Sequence, residues 1–225
     1  MSGPAAHPST SSGTEHLDSL LHRDKTGGVH TNGFSWRMSE TSTRSVLFGL
    51  YTREVLGIRK LGVPALYPAI IQAEASAEQG ELDAQWGRWW ASVVEPELAP
   101  ARGPLGLLPG TSHTVALPLT GAEVLYDALA AIADEAEEWT RAADDSLRGF
   151  AMKRPHGMEV TLLINGFAEE FGRPVHPFRL DVELVPTVER GIWWIGQHTV
   201  AVSADLRSDP DAYVAALRPI VAMLA

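Results

Sequence analysis

From Phe178 to Leu184 the chain alternates without a break. Phe178, Leu180, Val182 and Leu184 fall on one side, and Arg179, Asp181 and Glu183 on the other. Successive side chains leave opposite faces of a pleated strand, so a period of two marks β-structure. One apolar face and one charged face predict a half-buried antiparallel strand, with core on one side and water on the other. Two further strand patterns flank it, MEVTLLI at 158–164 and IWWIGQHTVAVS at 192–203, and the sequence DPDAYVAALRPIVAML over 209–224 reads as a terminal helix. That helix has Ser208 or Asp209 as N-cap and Pro210 in its first turn. Its predicted buried stripe is Tyr213, Leu217, Ile220 and Leu224, with Pro219 expected to kink or interrupt it.

Upstream, the pattern turns helical. Leu47, Tyr51, Val55 and Ile58 recur at spacings of four, four and three within 41–62, and Gly62 and Pro64 stop the run. A second helix is predicted over 65–78. A third carries Leu82, Trp86, Trp89/Trp90 and Val93 on one stripe and is limited by Pro96. The Pro/Gly-rich stretch 97–112 separates these helices from a short strand, HTVALPL, over 113–119. A capping box from Thr120 to Glu123 then opens a long helix with Leu125, Leu129 or Ala128, Ile132, Ala136 and Trp139 on its apolar face. The expected organisation is an arm without regular structure at 1–37, a helical region at 38–98 and an α+β domain at 112–225. The C-terminal order is β-α-β-β-β-α, which predicts a small antiparallel sheet with helices packed on one face.

A chain of 225 residues that is 45% hydrophobic and 20% charged buries a sizeable core. It contains no cysteine, which excludes disulfides, thiolate metal sites and thiol catalysis. A net charge of −10 with scattered basic residues speaks against nucleic-acid binding and favours a basic partner. No apolar run reaches the length of a membrane span, and the N-terminus lacks the apolar core of a secretory signal. The expected address is cytoplasmic, with no cofactor.

Seven tryptophans include two adjacent pairs, Trp89–Trp90 and Trp193–Trp194. Neighbours on a strand face opposite ways, so Trp194 is expected inside with Val200 and Val202, and Trp193 outside or under another element. His198 follows on the same predicted strand. The acidic run Asp134, Glu135, Glu137, Glu138, Asp144 and Asp145 reads as a solvated helix face. The motifs of nucleotide loops, serine-hydrolase elbows and zinc helices are absent, so no catalytic or metal-binding residue is singled out. Two functions follow. The first is a non-catalytic adaptor, chaperone or inhibitor-like module that holds another protein through its acidic surface and an exposed tryptophan. The second is a small-molecule binder or enzyme in which Trp86, Trp90 and Trp194 line an aromatic pocket beside His198.

Overall fold

The computed structural model of the protein describes residues 36–58, 62, 64–72, 78–112, 115–153 and 158–225. All but the last two positions of the expected arm, 1–37, lie outside the described residues. The elements are β1 (Arg37–Thr41), α1 (Arg44–Val55), α2 (Gln79–Val94), β2 (Leu105–Leu107), β3 (Ala116–Pro118), α3 (Glu123–Lys153), α4 (Glu159–Phe171), β4 (Arg179–Val185), β5 (Ile192–Trp194), β6 (Thr199–Ser203), α5 (Ala204–Arg207) and α6 (Pro210–Leu224). A four-stranded sheet runs in the order β1-β4-β6-β5, and β2 and β3 form a separate antiparallel pair. The class is α+β.

The sheet differs from the antiparallel one expected. β4 is an inner strand, parallel to β1 on one side and to β6 on the other, and only β5 runs antiparallel. The first edge strand, β1, precedes the helices, so the region read as helical over 38–98 opens with part of the sheet. The stretch 192–203 is not one strand but a hairpin. Ile195 and Gly196 both donate backbone N–H to Thr199 O, turning the chain between β5 and β6.

Residues 158–164 are helical, not extended. Leu163, Ile164 and Phe167 are buried while Leu162 is 64% exposed. Over seven residues Val160, Leu162 and Ile164 mimic a period of two. The longer window to Phe167 carries the helical spacing, and Gly172 closes the helix in the left-handed region at φ 63°. The helix expected over 65–78 is not formed in its described part: residues 64–72 run without helix, and Leu66 bridges Thr187. Residues 73–77 lie outside the described residues.

Both faces of the sheet are covered, which corrects the one-sided packing expected. Glu40, on the face of Val182 and Val200, accepts from Arg207 Nε at 2.8 Å and from Tyr213 Oη at 3.0 Å, which ties that face to α5 and α6. On the other face Glu183, at 7% exposure, accepts from Thr43 N at 2.8 Å, Thr43 Oγ1 at 2.7 Å and Thr41 Oγ1 at 2.9 Å. The alternation in β4 therefore separates an apolar face from a polar but covered one. Burial pushes the Glu183 carboxyl above the usual range against the pull of its Thr43 and Thr41 donors.

The helical stripes hold well where they were read. Leu47, Tyr51, Val55 and Ile58 are all buried, as are Leu82, Trp86, Trp89 and Trp90. α1 and α2 cross at Gly49, where a Cβ would stand 2.5 Å from the Trp90 ring. A single cluster of buried side chains runs from Val46 to Ala225. In α6, Asp209 caps Ala212 N–H, and Tyr213, Leu217 and Val221 are buried; Ile220 and Leu224 pack at the margin instead of in the stripe, and the helix continues through Pro219. At the start of α3, Glu123 accepts from Gly121 N–H, so the acidic half of the predicted box forms on a neighbouring residue.

One member of the acidic run faces inward. Asp144 is fully buried and accepts from Arg44 Nε at 2.7 Å, Arg148 Nε at 3.0 Å and Ser42 Oγ at 3.3 Å. Burial pushes its carboxyl up, but the hydrogen bonds from Arg44 and Arg148 outweigh this and hold it below the usual aspartate range. Such a group stabilises the fold above its unfolded pKa and loses that contribution as pH falls through its folded value. Asp144→Asn should therefore lower stability at neutral pH and flatten the acid side of a stability–pH curve measured by urea unfolding.

Two substitutions on β4 test the doubly covered sheet. Leu180→Ala should cost about 2–5 kcal/mol through its cavity. Glu183→Ala should cost about 1–3 kcal/mol by leaving Thr43 N–H unpaired. Denaturant midpoints measure both, and a neutral Glu183→Ala would restore a wet face.

Candidate functional site

The structure separates the residues expected to share one pocket. Trp86 and Trp90 stack at 5.0 Å between centroids and are 1% and 5% exposed, deep between α1 and α2. Trp90 Nε1 donates to Ile195 O at 3.0 Å, and Trp86 Nε1 points to Thr52 Oγ1. Their rings fill core and cannot wall an open pocket with Trp194.

Trp193 and Trp194 do face opposite ways, and Trp194 shares the Val200 side as expected, but it is exposed there instead of inside. Trp193 aligns with Ala201, half-buried against the core, while Trp194 aligns with Val200 and is 39% exposed. β5 is an edge strand, so its last side chain has a neighbouring strand on one side only. Of the seven tryptophans, Trp194 alone is exposed.

His198 lies in the β5–β6 turn, outside both strands and half-buried. Its backbone N–H donates to Glu95 Oε1, just past the end of α2. Glu95 comes this close because position 196 is glycine: a Cβ there would meet Glu95 Cδ and Oε1 at 2.8 Å and Val94 Cγ1 at 2.9 Å. Glu95 and Trp90 thus pin the turn to α2 from both sides. Trp194 and His198 are neighbours around this turn, yet neither lines the two concave surfaces described next.

The larger is a groove of about 540 Å³ between α2, residues 98–102 and the β3–α3 connection. Trp89, Leu98, Pro100 and Pro118 give it an apolar lining, and Arg88 and Arg102 are its charged groups. Trp89 is fixed there by donating Nε1–H to Ala116 O at 3.2 Å. Gln85 locks one wall to another by accepting Leu125 N–H at 2.8 Å, which satisfies a first-turn donor of α3. Arg88 lies 3.5 Å from Glu81 and donates to Gly121 O at 3.3 Å. Beside the groove, Leu105, Leu107 and Leu119 of the β2–β3 hairpin are about half exposed.

The smaller hollow, about 280 Å³, sits where β1 and β4 end, between Glu40, Ser42 and Leu184 and the Leu147 and Arg148 side of α3. Carboxyl ends of parallel strands are common ligand sites. Here the charged groups serve the fold: Glu40 is held by Arg207 and Tyr213, and Arg148 by Asp144. Burial, with the Glu40 charge beside it, pushes the Tyr213 phenol well above its usual range.

Sequence reading singled out neither Arg88 nor Arg102. Arg88 sits off the tryptophan stripe of α2, and Arg102 belongs to the Pro/Gly-rich connection, so no periodicity links them. Among the described residues no group of three or more His, Asp and Glu side chains could hold a metal, and no helix is long and apolar enough to cross a membrane. Comparison with protein-family models, curated protein sequences and solved structures finds no match, so the geometry of these surfaces is what bears on function.

Proposed function

We propose that the protein is a non-catalytic binding module that holds a basic, extended segment of another protein along the β5 edge, with Trp194 as the side-chain anchor. The carrying observation is the exposure of Trp194 on an edge strand while every other tryptophan is buried or half-buried. An edge strand presents N–H and C=O groups on its outer side, which an extended segment can pair by adding as a strand. A tryptophan beside that edge supplies large contact area with little entropy to lose. The net charge of −10 draws a basic segment toward this surface, and Glu189 is exposed where the chain enters β5. A cytoplasmic setting belongs to the same proposal, as does the acidic surface as the source of partner selectivity.

The test pairs stability with binding. Trp194→Ala should leave the melting temperature within a few degrees and weaken capture of the partner by about 2 kcal/mol or more, as anchor tryptophans do. Trp86→Ala, in the core, should cost about 3–5 kcal/mol of stability. Partner association should slow as salt rises, since its steering is electrostatic. Unchanged binding by a folded Trp194→Ala protein overturns the reading.

A further inference from the structure

A chain with 28 Asp and Glu residues against 18 Lys and Arg carries, among the described residues, a concave surface with the opposite balance. The groove between α2 and residues 98–102 is lined by two arginines and by no aspartate or glutamate. We infer that this groove binds a small amphipathic organic carboxylate: a flat or branched apolar body carrying a single negative charge.

Each part of that description has a physical source. A groove of about 540 Å³ is of the size that takes a drug-sized molecule. Its apolar lining is Leu98, Pro100 and Pro118, backed by a Trp89 that is itself buried at 2% exposure and anchored to Ala116 O, and it fits a hydrocarbon or aromatic body. The charge count favours a monoanion. Arg88 already shares its charge with Glu81 at 3.5 Å and gives a hydrogen bond to Gly121 O. Arg102 has no ion pair among the described residues, so one full positive charge is available. A guanidinium matches a carboxylate through two parallel hydrogen bonds. Glu123, the nearest acid on α3, is turned onto Gly121 N–H and is not part of the lining. This site is separate from the β5 edge, and its ligand is recognised by different residues.

The test is calorimetric titration of the full chain with 2-naphthoate, with neutral 2-naphthamide and with 2-naphthyl phosphate. The expected result is saturable one-to-one binding of the naphthoate. The amide should bind about tenfold more weakly or worse, in line with loss of a charged hydrogen bond. The phosphate should bind no better than the carboxylate. Arg102→Gln should reduce naphthoate affinity by about tenfold with an unchanged melting temperature, because the side chain is exposed. Ala101→Trp, which fills the groove from an exposed loop position, should abolish binding in a folded protein. Trp194→Ala should bind naphthoate normally, which keeps this site distinct from the protein-binding edge. The inference is overturned by absence of saturable naphthoate binding, by equal affinity for the amide, by tighter binding of the phosphate, or by indifference to Arg102→Gln.

Discussion

β4 is covered on both faces, and one of those faces carries carboxylates. The arrangement holds because the β1–α1 turn supplies donors where β4 supplies acceptors. Thr41 and Thr43 meet Glu183, and Ser39 Oγ donates to Asp181 at 2.5 Å. A buried carboxylate without such partners would cost several kcal/mol. The hydrogen bonds therefore fix where β1 pairs, where α1 begins and how closely the helices approach that face. Asp144 extends the same logic one layer outward, drawing Arg44 and Ser42 onto α3.

α2 depends on that frame and in turn sets the binding surfaces. Trp86 and Trp90 point into the core, and Gly49 and Gly196 let the C-terminal half of the helix come close to α1 and to the β5–β6 turn. Once Trp90 and Glu95 have pinned the turn, β5 is held as an edge strand with Trp194 at its end. The opposite side of the same helix, around Arg88, becomes the floor of the groove. One helix thus positions both candidate sites.

The acidic groups divide by task. Glu40, Asp144 and Glu183 are consumed by the fold, each with two or more donors. Most others remain at the surface, where single ion pairs contribute little to stability and mainly shape the field around the molecule. Against that field the acid-free groove stands apart.

The helices at 44–55, 79–94, 123–153 and 210–224 and the strand at 179–185 were legible because each is long enough to display its own period; the cap read for 210–224 forms, while 44–55 and 79–94 begin without a side-chain cap. Short windows misled. Residues 158–164 fit a strand until Phe167 is included, and 192–203 fit one strand because Gly196 signals a turn no more strongly than a bulge. The charged side of β4 looked wet because alternation distinguishes polar from apolar faces and carries no information on whether a polar face is covered. Pairing partners, the parallel direction of β1, β4 and β6, the outward placement of Trp194 and the presence of Arg88 and Arg102 on one groove depend on contacts between residues far apart in the chain. Local sequence determined the elements and the sides they bury; only the packed structure decided which edge stayed open and which charges came together, because those follow from long-range hydrogen bonds and close backbone approaches that no local period encodes.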